Sequence, residues 1–117
     1  MATYVQHLDL VFGALADPTR RAILERLAHG DATVNDLVAP SGFSQPTISR
    51  HLKVLERAGL VSRGREAQYR PVRLNAAPLA DAVSWLGPYE QIWNERLDRL
   101  DTYIQELKER EEPHDQS

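Results

Sequence analysis

The 117-residue sequence contains no cysteine. Disulfides, thiolate metal sites and thiol redox switching are therefore excluded. No glycine-rich phosphate loop, no nucleophile elbow and no paired carboxylates of an apparent cleft occur, so catalysis has no footing in the motifs. Ser44 and Ser49 lie near His51, but helix capping and groove contact explain them better than nucleophilic chemistry. No apolar run is long enough to span a bilayer. The N-terminus lacks a basic stretch followed by an apolar one, so no secretory signal is expected and a cytoplasmic location is. An overall excess of positive charge is missing too: 14 basic against 17 acidic residues leave a net charge of -3. The length suits one small domain with a single core, of ordinary soluble composition.

The charge that is present is unevenly spread. Residues 44–73 carry seven basic side chains against two acidic ones, a net of +5. Residues 76–117 carry four basic against ten acidic, a net of -6. Such asymmetry suggests one face meant for an anion and another kept away from it; a chance cluster on a solvated surface is the plainer alternative.

Within the basic segment, Ser44–Leu60 reads SQPTISRHLKVLERAGL. Ile48, Leu52 and Leu55 fall at i, i+4 and i+7, one apolar stripe of a helix. At about 100° per residue, Pro46, Arg50, Lys53 and Arg57 point nearly opposite. Ser44 is the expected N-cap, Pro46 lies in the first turn, and Gly59 ends the helix. His51, beside core-facing Leu52, reads as a half-buried helix residue rather than a metal ligand. Before this helix, Thr33-x-x-Asp36 has the form of a capping box, with Val34, Leu37 and Val38 as an apolar side. Pro40-Ser41-Gly42 breaks that short helix, and Phe43 is expected to plug the core in the turn. Two short helices joined by a tight glycine-containing turn match the helix-turn-helix pattern. Small polar and amide side chains sit at the end of the second helix that enters a major groove.

The flanking segments fit the same plan. Residues 4–16 read as a first helix through Tyr4, Leu8, Val11, Phe12 and Leu15. Asp17-Pro18 starts a second, with Ala22, Ile23, Leu27 and Ala28 as its buried face and Gly30 as its stop. Arg20 and Arg21 sit in its first turn, where the helix dipole disfavours cations. A phosphate or a neighbouring carboxylate could compensate. After Gly59, residues 60–63 and 69–74 read as two strands of a hairpin, with Pro71 confining the second to an edge. Its arginines make it a wing placed to touch phosphates or the minor groove. Pro78 opens a last helix, kinked or restarted at Gly87-Pro88. Leu86, Tyr89, Trp93, Leu97, Leu100, Ile104 and Leu107 form a stripe too long for the core of a small domain, which implies a partner, most simply a second copy. Trp85, Ile92 and Tyr103 widen that surface and are expected to meet the first helix. The alternative is a helix folded back on its own domain. The polar tail is expected to be disordered.

The stretch FGALADPTRRAILERLAHGDATVNDLVAPSGFSQPTISRHLKVLERAGLVSRGREAQYRPVRL resembles the ArsR/SmtB family of bacterial winged-helix repressors. WLGPYEQIWNERLDRLDTYIQEL is similar to a subgroup of that family without metal sites. The resemblance implies a homodimer, paired through first and last helices, that binds a palindromic operator upstream of its own operon until a signal releases it. Many members sense metal through cysteines before the recognition helix; here the matching stretch, Thr33–Val38, has none. Others use histidines on the last helix, and this one has none; its carboxylates Asp98, Asp101, Glu109 and Glu112 alone suit only hard ions.

The expected fold is therefore mainly α (α+β): a winged helix-turn-helix of about five helices, a two-stranded β-hairpin wing and a long C-terminal dimerisation helix. Residues 1–110 form one domain (helix-turn-helix 33–58, wing 60–74, dimerisation helices 4–16 and 78–110), with 111–117 as the tail. Gln45, Thr47, Ser49 and Arg50 are the candidates for base readout, and Arg20, Ser44, Lys53, Arg63, Arg65 and Arg70 for phosphate contact. Leu8, Phe12, Tyr89, Trp93, Leu97, Leu100, Ile104 and Leu107 are the candidates for the dimer interface. The expected partners are double-stranded operator DNA and a second copy, with no cofactor, no metal and no membrane. A small-molecule effector, held between first and last helices near Trp85, Tyr89 and Trp93, is one alternative. A protein-interaction module that touches DNA weakly is the other.

Overall fold

A computed structural model describes residues 3–64 and 71–111, without the side chains of 3–5. Five helices and two strands follow in the order α1 (Thr3–Leu15), α2 (Pro18–Leu27), α3 (Val34–Val38), α4 (Gln45–Arg57), β1 (Val61–Arg63), β2 (Val72–Leu74) and α5 (Ala77–Glu111). The chain forms two compact units, residues 1–83 and 84–117, and their boundary falls inside α5.

In the first unit the helix starts follow from side chains that satisfy otherwise unpaired N–H groups. Asp17 Oδ2 accepts from the backbone N–H of Thr19 (2.8 Å) and Arg20 (3.1 Å), and Pro18 takes the first helical position. At α3 the capping box is complete: Thr33 Oγ1 accepts from Asp36 N (3.1 Å), and Asp36 Oδ2 from Thr33 N (3.0 Å). Ser44 Oγ accepts from Thr47 N (3.4 Å) at the start of α4. That helix ends in a Schellman turn. Leu60 N donates to Leu55 O and Gly59 N to Glu56 O, both at 2.9 Å, with Gly59 at φ 74°. A left-handed residue here favours glycine, and the buried pair Leu55–Leu60 closes the motif.

The core of the first unit gathers around α4. Ile48, Leu52, Leu55, Leu60, Val11 and Val72 are its largest wholly buried side chains. On α2 the buried face is Ile23, Leu24 and Leu27, not the expected Ala22, Ile23, Leu27 and Ala28. The two alanines are exposed. Leucine removes more apolar area from water than alanine, so the helix turns Leu24 inward. Phe43 corrects a second expectation. It does not plug the core; it stands 48% exposed. Ser41 Oγ, donating to Val38 O (2.7 Å) and accepting from Phe43 N (3.0 Å), holds the turn from within, and Leu37 and Ile48 already fill the core beside it.

The two strands pair antiparallel, with Val61 opposite Leu74 and Arg63 opposite Val72. Pro71 directly precedes β2, which is an edge strand of this two-stranded sheet, and one isolated bridge touches its far side. Ala32, just before α3, bridges Val72 through Ala32 N→Val72 O (3.1 Å) and Val72 N→Ala32 O (2.7 Å). Residues 65–70, which include the expected start of the second strand at Tyr69 and Arg70, lie outside the described residues.

The helix α5 is anchored on the first unit by buried Pro78 and Ala82 and by Leu79. It then runs without restarting through Gly87-Pro88 to Glu111. Pro88 has no N–H for the Ser84 carbonyl, but the helix is exposed there and water can take that place. Glu111 thus belongs to the helix rather than to the tail, and residues 112–117 lie outside the described residues. No described helix is long and apolar enough to cross a membrane.

Candidate nucleic-acid interface

The buried stripe of α4 sets what its other side presents. With Ile48, Leu52 and Leu55 turned inward, Gln45, Pro46, Arg50, Lys53 and Arg57 are exposed, while Thr47 and Ser49 are half-buried. Thr47 is tied into the cap, its hydroxyl 3.0 Å from Ser44 Oγ. Arg50 Nε donates weakly to Pro46 O (3.4 Å), which leaves the rest of its guanidinium pointing outward. Lys53 and Arg57 have no hydrogen-bond or ion-pair partner among the described residues. Exposed Gln45 and the three outward cations Arg50, Lys53 and Arg57 thus share one helix.

Among the described residues, Arg20, Arg21, Arg63 and Arg73 are engaged within the protein. Arg20 donates through Nε to Ala14 O (2.8 Å) and through Nη2 to Gly13 O (3.0 Å). Arg21 Nη1 donates to Leu15 O (2.8 Å). The Arg20 charge in the first turn of α2 acts on the neighbouring Asp17 carboxylate, and both guanidinium groups also find partners on α1. They bind the C-terminal carbonyls of α1, where the dipole of that helix favours positive charge. Arg63 pairs with Glu56, joining β1 to the last turn of α4. Arg73 pairs with Asp31 (3.0 Å). Arg65 and Arg70, the remaining wing candidates, lie outside the described residues.

A junction not read from the sequence ties α4 to the start of α2. Half-buried His51 brings its Nδ1 within 3.3 Å of Arg20 Nη1 and 3.8 Å of Asp17 Oδ2. Partial desolvation pushes the Asp17 carboxyl up. The Arg20 N–H, the His51 and Arg20 charges and the Thr19 N–H outweigh it and hold that carboxyl below its ordinary value. The one sequence signal for this junction is the pair of arginines in the first turn after the Asp-Pro cap. Thirty-one residues separate Arg20 from His51, so no local pattern could couple them.

The candidate interface residues divide between the units. Leu8 is 7% exposed, buried within one chain, and Phe12 packs partly against the core. Leu8 therefore backs such an interface and adds little area to it. On α5, Tyr89, Trp93, Leu97, Leu100, Ile104 and Leu107 are between 39% and 61% exposed. Trp85, Ile92 and Tyr103 are exposed as well, and the Trp85 ring lies 5.3 Å from that of Tyr89. Among the described residues no three His, Asp or Glu side chains converge as a metal site would need.

A two-helix motif with an exposed polar reading end, followed by a two-stranded hairpin, defines a winged helix-turn-helix DNA-binding protein. Residues 17–63 match the model of the family described as bacterial regulatory protein, arsR family. Over 79 residues the chain is 41% identical to the transcriptional repressor SdpR of Bacillus subtilis, an alignment covering 68% of this chain and 88% of that protein. An ArsR-like transcriptional regulator from Rhodococcus sp. RHA1 superposes with a TM-score of 0.67 at 29% identity, covering 88% of this chain and 96% of its own. The homodimeric winged helix-turn-helix DNA-binding domain Mb0332 of Mycobacterium bovis does so with a TM-score of 0.62 at 27% identity, covering 78% and 86%. The chain belongs to the arsR family of bacterial regulatory proteins and is a DNA-binding transcriptional regulator.

Proposed function

We propose that this protein is a homodimeric autorepressor that acts in the cytoplasm on a palindromic operator, with no catalytic step of its own. The observation that carries this reading is the division of α4, whose wholly buried stripe fixes an opposite face of Gln45, Arg50, Lys53 and Arg57. Gln45, Thr47, Ser49 and Arg50 read base edges, and Lys53, with Ser44 at the helix start and Arg63, Arg65 and Arg70 of the wing, meets phosphates. Arg20 serves this surface chiefly by holding α1 against α2. The exposed stripe of α5, with α1 behind it, pairs with a second copy, so that residues 1–110 work as one DNA-binding and dimerisation domain. Support comes from SdpR, named a repressor, and from the M. bovis domain, described as homodimeric. The signal that releases the operator is not a thiophilic metal, because the chain has no cysteine and α5 no histidine.

Two recognition helices related by a two-fold axis meet successive major grooves about 34–36 Å apart. The test is a footprint on the DNA upstream of the protein's own gene, which should protect an inverted repeat with half-sites about one helical turn apart. Gln45→Ala or Arg50→Ala should flatten preference at one base position by about 1–3 kcal/mol. Arg65→Ala should weaken all sequences alike and lower the salt slope by roughly one unit. Binding no stronger than to unrelated DNA at physiological salt would instead make the protein an interaction module built on α5.

A further inference from the structure

The first unit holds a cavity of about 370 Å³ that DNA reading does not use. It opens between α2, α3 and the turn that leads into α4. Core residues Ile23 and Leu37 form its apolar floor. Pro18 and Pro40 stand in its wall, and their locked φ angles make that wall stiff. Phe43 is at its side, the large ring that the core left half in water. The volume lies within the range of small-molecule sites, which are mostly apolar with a few placed polar groups.

Three polar side chains reach the cavity: Thr19, Ser41 and Arg26. The Ser41 hydroxyl is engaged inside its own turn. Arg26 spends one Nη1 bond on Gly30 O (3.1 Å) and has no carboxylate at ion-pair distance among the described residues. The nearby carboxyl of Asp36 is held below its ordinary value first by the Thr33 N–H and hydroxyl; the Arg26 charge is the least of its causes. Arg26 therefore offers unused N–H donors to an anion at the edge of an otherwise greasy cavity.

We infer that this cavity binds a small aryl or branched-alkyl carboxylate, its apolar body between Ile23, Leu37 and Phe43 and its carboxylate on Arg26. The occupant sits one residue from Ser44, the cap of the DNA-reading helix. The binding itself does not depend on the DNA-binding reading and can be tested without DNA.

The test is a titration of the full-length protein with 4-isopropylbenzoate, followed by backbone amide NMR, with 4-isopropylbenzamide as the neutral counterpart. Saturable shifts confined to residues 18–26 and 37–43 are expected, with a Kd on the order of 1 mM for a ligand of this size. Arg26→Gln should weaken the benzoate by about tenfold and leave the benzamide unchanged. Ala22→Phe, from an exposed position on the cavity wall, should abolish binding of both. The inference is overturned if neither probe shifts these amides at 10-fold the expected Kd, or if Arg26→Gln weakens acid and amide alike. It is equally overturned if the same amides shift on dilution without any probe, which would place a second copy of the chain in the cavity.

Discussion

Residues 6–83 and residues 84–111 treat their apolar side chains in opposite ways. In the first stretch most large apolar side chains are inside, and the few left out, such as Leu10, Phe43 and Val83, are scattered. In the second, every large apolar side chain is exposed, and they recur along one helix from Trp85 to Leu107. Scattered exposure is normal for a folded surface, whereas a continuous apolar stripe marks a place where something else binds. The first stretch therefore resembles a finished domain, and the second resembles half of an interface.

The sharpest way to break that contrast is to cut into each region in turn. Leu52→Ala should cost about 2–5 kcal/mol of stability, because it opens a cavity in a wholly buried site. Urea denaturation would show a lower midpoint. Leu100→Ala, judged by the same measurement at micromolar and at hundredfold lower concentration, should show a loss only where the dimer forms. An equal loss at both concentrations would mean that α5 is stabilised within its own chain. Next in size, Leu97→Glu should weaken association by about 3 kcal/mol, since in the proposed dimer it would set a charge where water is excluded. Sedimentation would show monomer with its helix content retained.

Smaller effects probe the reading end. Ser44→Ala removes the cap of α4 and should cost about 1 kcal/mol, seen in thermal unfolding and in faster amide exchange at Thr47. Its effect should be the same in dimer and monomer, unlike that of Leu100→Ala. The smallest effect comes from acid. Asp17 and Asp36 both titrate below the ordinary value of 3.8, the first against its own desolvation and through Arg20 and His51, the second through Thr33. In this range the unfolded chain binds more protons than the folded one. Their stabilisation is thus complete above the ordinary carboxylate range and lost as pH falls through the depressed values. Asp36→Asn, which keeps an acceptor for Thr33 N, should remove its share of that acid dependence in unfolding experiments between pH 5 and 2. Solvent screening keeps the share modest.

Much of the DNA-reading unit was legible from local signals. Asp17-Pro18, Thr33-x-x-Asp36 and Ser44-x-Pro46 each mark a helix start through side chains that bond within three residues, and the structure places a helix at each. The apolar stripe of α4 was legible for the same reason, since one helical period puts Ile48, Leu52 and Leu55 together. Phe43 was misread because a large aromatic in a turn fits the core only if neighbours leave room, and room is a three-dimensional quantity. The bridge from Ala32 to Val72 left no sequence signal, because a single residue is too short to show any period.

The sequence by itself determined where helices begin, which side of α4 is polar, and that a long helix carries more apolar surface than a small core can absorb. These are properties of spacing along one chain. The tertiary structure alone decided what each charge does. It turned Arg20 and Arg21 onto the carbonyls of α1, paired Arg63 with Glu56, and gave Lys53 and Arg57 no partner among the described residues. An arginine is the same residue in all of these places. Which donor or acceptor lies within about 3 Å of its guanidinium decides whether it holds the fold together or faces a ligand.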